Sequence, residues 1–210
     1  MRWPNFPPTL SIENLSHGVA YLGDIDPDFA RINAAYGPPP LWARPTGFPT
    51  LVRIILEQQV SLASAGAAFG KLEGAIGKVT PETFLTLDDG ELKKIGFSRQ
   101  KAGYCRGLAS AIIENQIDLN ALEAMDDPSA HSALMQIKGI GPWTADIYLL
   151  MALLRPDIWP GGDLALATAY QTLKGLSNRL DSEKLNQIAQ AWRPWRAVAA
   201  RLLWHYYLSR

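Results

Sequence analysis

Apolar residues recur at helical spacing along most of the chain after residue 49. Between residues 50 and 59, the apolar positions Leu51, Ile54 and Ile55 fall on one face of a helix, and residues 61–76 continue with small and apolar side chains. No stretch alternates apolar and polar positions as a half-buried strand does. The pattern therefore predicts an all-α protein of about ten helices.

Further helices are predicted where apolar periodicity follows a proline or a capping residue. Ser98 is expected to cap a long helix that ends near Asn115. Other predicted helices cover residues 81–87, 89–95, 118–125, 128–137, 143–154 and 164–173. The first 49 residues differ, because proline and glycine cluster there, and they predict an extended arm with at most one short helix near residues 26–36.

Length and composition bound the fold before any motif is considered. A chain of 210 residues with 48% hydrophobic content can bury one substantial core, or two small lobes that share a groove. The single cysteine, Cys105, excludes an internal disulfide, and the three histidines have no zinc-binding spacing. We therefore expect no cofactor, no iron–sulfur cluster and no tightly bound metal.

Charge and hydropathy restrict the partners and the compartment. The 20 basic and 20 acidic residues cancel, so a nucleic-acid partner would need basic groups gathered on one face. The apolar run over residues 147–154 is far shorter than the roughly 20 residues of a membrane-spanning helix. The N-terminal Met1-Arg2-Trp3-Pro4 has no hydrophobic signal core. We expect a soluble intracellular protein with no membrane contact.

Two glycines lie one residue apart between two predicted helices, in the sequence Ile137-Lys138-Gly139-Ile140-Gly141-Pro142. Proline suits the first position of the second helix, where its missing N–H costs nothing. Glycines on both sides of Ile140 allow positive φ and a close approach of the backbone to a partner. The N–H groups exposed beside the helix N-terminus then form an anion site that suits a phosphate. The alternative is a tight turn between two core helices.

The hairpin resembles the helix-hairpin-helix signature of a DNA glycosylase superfamily, which pairs it with a Gly/Pro-rich loop and a single aspartate. Asp163 follows two glycines and lies 22 residues beyond Gly141, about the separation in that superfamily. Further blocks resemble its 3-methyladenine DNA glycosylase II branch, and together the blocks cover roughly residues 26–208. They are an I-x-x-Q-Q-x-S helix end at 54–61, the segment 96–102 and an R-P-W-R helix start at 193–199.

The resemblance implies that Asp163 is the catalytic carboxylate of a base-excision reaction. Breaking an N-glycosidic bond gives the sugar oxocarbenium character, which a fixed carboxylate stabilises while it orients or deprotonates the attacking water. A base that is already cationic through alkylation needs no general acid. Gly-Gly-Asp alone favours a different role, as N-cap of the helix over residues 164–173, worth about 1 kcal/mol. Both roles are compatible.

The resemblance also assigns the base pocket and the type of reaction. In relatives that also nick DNA, a lysine two residues after the second hairpin glycine attacks the sugar. Trp143 occupies that position, which implies a monofunctional enzyme without lyase activity. Trp143 and Trp204 match positions that line the pocket for the flipped base, where indole rings stack on electron-deficient purines. Ile147 stands where the family often has a third pocket aromatic. Either tryptophan could instead belong to the core.

The DNA contacts follow from the same resemblance. The hairpin residues Gly139, Ile140 and Gly141, with the amides around Thr144, would grip a phosphate, aided by a weakly bound Na⁺ or K⁺ at the hairpin carbonyls. A basic residue often follows the aspartate by four positions in relatives, and Ala167 stands there in this chain. One phosphate contact is therefore expected to be missing.

A flipped base leaves a hole in the duplex, which such enzymes fill with a wedging side chain. Gln59 matches the wedge position, and Gln58 is the second candidate. Both glutamines could instead merely end a helix.

The chain also departs from well-known members of the branch, because a short arm replaces their N-terminal β-rich lobe. We therefore expect two helical lobes around a central cleft: residues 1–49 as an arm on the C-terminal lobe, 50–120 as the first lobe, and 121–210 as the hairpin and catalytic lobe.

The expected function is a monofunctional glycosylase that flips alkylated purines such as 3-methyladenine out of double-stranded DNA and hydrolyses their glycosidic bond. We expect a monomer that works in the cytoplasm, at the nucleoid of a prokaryote or in the nucleus of a eukaryote. Three alternatives stay open. They are a related glycosylase for other damaged bases, a non-catalytic module whose hairpin only grips phosphates, and a helical adaptor, which only the zero net charge favours.

Overall fold

The computed structural model describes residues 7–210, so the N-terminal tetrapeptide considered above lies outside the described range. Regular structure within that range is entirely helical, which confirms the all-α class. None of these helices is long and apolar enough to span a bilayer. In chain order the helices are α1 Ile12–Ile25, α2 Pro27–Tyr36, α3 Phe48–Glu57, α4 Leu62–Ile76, α5 Pro81–Leu85, α6 Asp89–Ile95, α7 Arg99–Ile113, α8 Asp127–Met135, α9 Pro142–Met151, α10 Leu164–Leu173, α11 Ser182–Ala189 and α12 Arg196–Leu208.

The chain forms two compact units, and one of them is discontinuous in sequence. The first unit comprises residues 7–43 and 149–210, and the second comprises residues 44–148. The arm thus shares a unit with the C-terminal helices. The hairpin before α9 lies in the unit of residues 44–148, whereas sequence analysis grouped it with the C-terminal residues. The chain returns to the first unit within α9 rather than at residue 120.

Helix α12 is the centre of the first unit. All eight residues from Ala197 to Trp204 are buried, because α12 packs against α1, α2 and α10. Gly18 of α1 permits a close approach, since a Cβ at that position would lie 2.8 Å from Cε3 of Trp195, the N-cap of α12, and 2.9 Å from Cγ2 of Val198. Burial of an aliphatic side chain contributes about 1.5–3 kcal/mol, so this helix supplies much of the stability of the unit.

Helix α3 is the centre of the second unit. Eight of its ten residues are buried, and it packs against α4 and α7. Phe84 joins Phe48 to Phe97 through edge-to-face contacts, with ring centroids 5.9 and 5.6 Å apart. The buried carboxylate of Glu57 accepts hydrogen bonds from the two terminal nitrogens of Arg44, Nη1 and Nη2, both at 2.9 Å, so the charge at the end of α3 is compensated.

The prediction of an extended arm is wrong for residues 12–25, which form α1. Ser11 and Asn14 make a reciprocal capping box, in which each side chain accepts a hydrogen bond from the other residue's backbone N–H. Leu15, Val19 and Leu22 then form the buried face at helical spacing. The prolines and glycines that suggested an arm are concentrated at residues 37–49, so the composition of the whole segment concealed a capped helix. The short helix expected near residues 26–36 is confirmed as α2.

Other predicted helices differ mainly in where they end. Residues 118–125 were expected to be helical, but only the 3-10 turn Ala121–Ala124 forms there. Helix α9 ends at Met151, three residues before the predicted end, and Leu154 then has a left-handed backbone with φ +53°. Ser98 caps α7 through a hydrogen bond from Lys101 N, as predicted.

A partly buried ion network fixes the C-terminal end of α10 to the N-terminus of α2. Nζ of Lys174 lies 3.1 Å from Oδ2 of Asp26 and also pairs with Asp28, which Arg31 contacts from the next turn. Partial burial alone would raise the pKa of Asp28. The hydrogen bonds from Lys174 and Arg31 outweigh that effect and hold the pKa below its ordinary value. The network therefore stabilises α10, the helix that begins directly after Asp163.

The Asp28 network is expected to stabilise the protein only while Asp28 is ionised. Folding lowers the pKa of this carboxyl, so its contribution is present above the ordinary value of 3.8 and is lost as pH falls through the lower folded value. The substitution Asp28→Asn should therefore reduce the free energy of unfolding more at neutral pH than at about pH 3, as measured by urea unfolding. Asp24→Asn, at an exposed position of α1, is the control, and an Asp28→Asn effect that is independent of pH would contradict the assignment.

Candidate active site

The turn before α9 requires glycine at the first of its two glycine positions. Gly139 has φ +95°, a conformation that other residues rarely adopt, and a Cβ there would lie 2.2 Å from Cγ of Tyr104. Gly141 has an ordinary φ, and a Cβ there would meet nothing within 4 Å. The two glycines therefore act differently. Gly139 lets the turn pack on α7, whereas Gly141 leaves open space beside the backbone.

Gln58, at the end of α3, braces the same turn. Its Nε2 donates hydrogen bonds to the carbonyl of Gly139 at 3.0 Å and to Oγ1 of Thr144 at 2.9 Å. Thr144 is only 2% exposed, so its hydroxyl depends on protein partners. The amide of Gln58 is thus committed to the hairpin. Gln59 is exposed and has φ +57°, and its role as a wedge stays a prediction.

Lys101 of α7 closes the end of α3. Its Nζ donates hydrogen bonds to the carbonyl of Leu56 at 2.7 Å and to the carbonyl of Gln58 at 2.8 Å. Carbonyls at the C-terminal end of a helix have no partner within the helix, so Lys101 satisfies two of them. Partial burial lowers the pKa of Lys101. The backbone that leads into Gln59 is therefore held by a side chain from another helix. This role was not predicted from the sequence, although Lys101 falls within the matching block 96–102.

An open recess of about 410 Å³ lies beside the braced hairpin. Its lining is mostly polar, and no long aliphatic side chain other than Ile140 contributes to it. The recess therefore suits a polar or charged group better than an apolar one. The lining residues are Gln58, Gln59, Gln100, Lys101, Tyr104, Gly139, Ile140 and Gly141.

Asp163 is the N-cap of α10, as the structural alternative predicted. Its Oδ1 accepts hydrogen bonds from the backbone N–H of Leu166 at 2.9 Å and from Nε1 of Trp204 at 3.2 Å. Gly162 has φ +81° and makes the turn that leads into the cap. The side chain is half-buried, so it is neither shut off from solvent nor free to rotate. A carboxylate held in this way can stabilise positive charge that develops nearby.

Trp204 meets a second indole that sequence analysis did not assign. The ring of Trp42, from the segment between α2 and α3, lies 6.4 Å from the ring of Trp204, centroid to centroid, with the planes at 73°. Trp204 is 8% exposed, whereas Trp42 is only partly buried. No local pattern could have indicated Trp42, because the contact joins residues 162 positions apart.

The predicted site residues form two groups, one in each unit. Asp163 and Trp204 are in contact in the first unit. Gln58, Thr144 and the hairpin are in contact in the second unit.

Two further pocket candidates lie on α9 within the second unit. Trp143 is partly exposed, whereas Ile147 is 2% exposed. Ile147 therefore offers little surface to a bound base. The role of both residues in a base pocket stays a prediction.

The structure limits where a metal could bind. Within residues 7–210, no group of three or more His, Cys, Asp or Glu side chains has a metal-binding arrangement. The hairpin carbonyls are the remaining candidates for the predicted Na⁺ or K⁺, since carbonyl oxygens suit such cations. One of them, from Gly139, already accepts a hydrogen bond from Gln58. The cation site stays a prediction.

One known protein family matches most of this chain. Residues 52–194 match the family described as HhH-GPD superfamily base excision DNA repair protein, and the match includes both the hairpin and Asp163. The Bacillus subtilis protein YfjP is 28% identical over 162 residues, which cover 73% of this chain and 56% of that protein. DNA-3-methyladenine glycosylase 1 of Schizosaccharomyces pombe is 26% identical over 200 residues, which cover 92% of this chain and 88% of that protein.

A solved structure supports the same relationship. The 3-methyladenine DNA glycosylase Mag1 of fission yeast, in complex with abasic DNA, has a TM-score of 0.82 and 26% sequence identity to this chain. The alignment covers 90% of this chain and 95% of Mag1. The chain thus spans little more than half of YfjP but nearly all of the yeast protein.

The two hairpin glycines should respond very differently to alanine. Gly139→Ala imposes a left-handed alanine and an overlap with Tyr104, so we expect it to lower the free energy of unfolding by about 2–4 kcal/mol. Gly141→Ala places its Cβ in open space and should change that free energy by less than about 0.5 kcal/mol. Urea unfolding of both variants measures the difference, and equal effects would contradict the assigned packing.

The brace should be visible in a matched pair of glutamine variants. Gln58→Met removes donors to Gly139 and Thr144, and we expect a loss of about 1–3 kcal/mol in the free energy of unfolding. Gln59→Met changes an exposed side chain and should have an effect below about 0.5 kcal/mol. Thermal and urea unfolding provide the readout. A Gln58→Met protein as stable as Gln59→Met would show that the brace contributes nothing.

Proposed function

Because the chain belongs to the HhH-GPD superfamily of base excision DNA repair proteins, we propose that it is a monofunctional DNA glycosylase that hydrolyses the N-glycosidic bond of alkylated purines in duplex DNA. The observation that carries the proposal is the half-buried carboxylate of Asp163, held by N–H groups from α10 and α12. The relatives named as 3-methyladenine DNA glycosylases support the choice of substrate class. We further propose that the enzyme acts as a monomer in the compartment that contains the cell's DNA.

Asp163 would act on the sugar rather than on the base. Departure of the base leaves positive charge at the anomeric carbon and ring oxygen, and a fixed carboxylate lowers the free energy of that transition state. The same carboxylate can orient and deprotonate the attacking water. An alkylated purine already carries positive charge, so it leaves as a neutral base without a general acid. One carboxylate is therefore sufficient for this class of lesion.

The tryptophan that binds Asp163 would also recognise the base. A cationic purine stacked on an indole ring gains about 0.5–2 kcal/mol from cation–π attraction, which a neutral undamaged purine does not obtain. The hydrogen bond from Nε1 of Trp204 to Asp163 fixes the orientation of that ring. Recognition of the lesion and stabilisation of the transition state thus involve adjacent groups.

The hairpin would hold the DNA backbone while the base is flipped. Space beside Gly141 allows the backbone N–H groups at the start of α9 to approach a phosphate. Equal numbers of basic and acidic residues give no net attraction to DNA, so we expect local contacts such as these to supply a large share of the binding. Trp143, where lyases of this superfamily have a nucleophilic lysine, supports hydrolysis without strand cleavage.

Replacement of the carboxylate should separate catalysis from binding. Asp163→Asn removes the charge, but asparagine is also a good N-cap, so the fold should persist. We expect release of 3-methyladenine from methylated duplex DNA to fall at least about 100-fold, with affinity for an abasic-site duplex changed less than about twofold. Base release and gel-shift assays make these measurements.

The outcomes separate the rival functions. Wild-type protein should give strand breaks only after alkali treatment, because no lyase step is expected. Full activity of Asp163→Asn would refute the catalytic role of that residue. Salt-sensitive DNA binding without base release by the wild type would instead indicate a non-catalytic binding module.

A further inference from the structure

Arg201 of α12 is completely buried and bonds only to backbone carbonyls. It donates from Nε to Leu41 at 2.8 Å, from Nη1 to Ala197 at 3.0 Å and from Nη2 to Leu150 at 2.7 Å. Burial lowers the pKa of Arg201 to about 9, which still leaves the guanidinium charged at pH 7. In the part of the chain that the structure describes, no carboxylate forms an ion pair with it. Burial of an uncompensated charge is costly, so its location calls for a reason.

The bond to Leu41 is the one that fixes an irregular segment. Ala197 lies one turn earlier in α12, and Leu150 lies near the end of α9, so both belong to helices. Leu41 lies between α2 and α3, where the backbone has no regular hydrogen bonding. A planar guanidinium with several donors in fixed directions can hold three carbonyls at once. Arg201 therefore anchors this segment to the helical core of the first unit.

The residue after Leu41 is held in a strained conformation. Trp42 has φ +48°, a left-handed backbone that is unfavourable for a non-glycine residue. Its ring makes edge contacts with Trp204 and with His205, both at 6.4 Å between centroids. Strain of this kind persists where the surroundings fix the residue, and it is frequent at ligand sites. Arg201 on one side and the rings of α12 on the other supply those surroundings.

Resting on the proposed function, we propose that Trp42 is a wall of the base pocket beside Asp163, and that Arg201 is a positioning residue that holds this wall in place. The less buried indole of this pair is Trp42, so it offers more surface to a bound base than Trp204 does. The two ring planes stand at 73° and form a corner. A flat purine stacked on one indole then meets the other with its edge, which is a favourable aromatic geometry.

The first test removes the Trp42 ring without changing the backbone. Trp42→Asn is suitable because asparagine tolerates the left-handed region, and Trp42→Phe keeps an aromatic face. Under single-turnover conditions with a duplex that carries one 7-methylguanine, Trp42→Asn should excise the base at least about tenfold more slowly, and Trp42→Phe within about threefold of wild type. Affinity for a duplex with a tetrahydrofuran abasic analogue should stay within about twofold, because that duplex has no base to stack. Tyr207→Ala, an exposed aromatic of α12, is the matched control.

The second test asks whether Arg201 acts through Trp42. Arg201→Lys and Arg201→Gln should slow excision by a similar factor to Trp42→Asn, and the double variants should show no further loss, since both changes affect the same wall. A merely structural role for Arg201 would instead give multiplied losses and weaker binding of the abasic duplex. Thermal unfolding identifies the folded variants. Failure of both Arg201 variants to fold would overturn the positioning role, because the residue would then sustain the whole unit.

The results distinguish this inference from the proposed function. Wild-type protein that releases no 7-methylguanine and no 3-methyladenine contradicts the proposed function. Active wild type with an equally active Trp42→Asn variant contradicts only the role of Trp42. A loss confined to excision, largely rescued by phenylalanine and shared by the Arg201 variants, is the outcome that supports both assignments.

Discussion

The hydrogen bonds that hold the Asp163 carboxylate are the interaction on which the rest of the site depends. One donor belongs to the first turn of α10 and the other, Nε1 of Trp204, belongs to α12. The two helices pack against each other and are also held by other elements, since α1 and α2 cover α12 and the far end of α10 is paired through Lys174 with the start of α2. The carboxylate therefore keeps its direction without rearrangement of the protein, which is the condition under which electrostatic stabilisation is strongest.

The second unit uses the same principle for the backbone rather than for a side chain. The hairpin is shaped by Gly139, which packs on Tyr104, and it is tied by Gln58 to the end of α3. Lys101 in turn holds the carbonyls at that helix end. Polar side chains with defined partners thus set the position of groups that would contact DNA, and the hydrophobic interior sets the position of the helices that carry them.

Local sequence signals predicted the parts of this protein that local interactions determine. The N-cap of α7, the bounds of α10 and the glycine turn before α9 depend on residues within a few positions, and all were predicted. Helix α1 was missed because its capping box lies within a segment whose composition was judged as a whole. The contacts of Trp42 and Arg201 could not be predicted, because they join residues about 160 positions apart, and a single sequence gives no signal for such pairs.

The proposed use of the hairpin backbone, rather than basic side chains, to hold DNA has a consequence for the salt dependence of binding. Contacts from Lys and Arg displace the cations condensed on DNA, and their strength falls steeply as ionic strength rises. Backbone amides beside Gly141 carry only partial charge and displace fewer of those cations. If the hairpin holds DNA through its backbone, that part of the affinity would depend less on ionic strength than contacts from lysine or arginine side chains would.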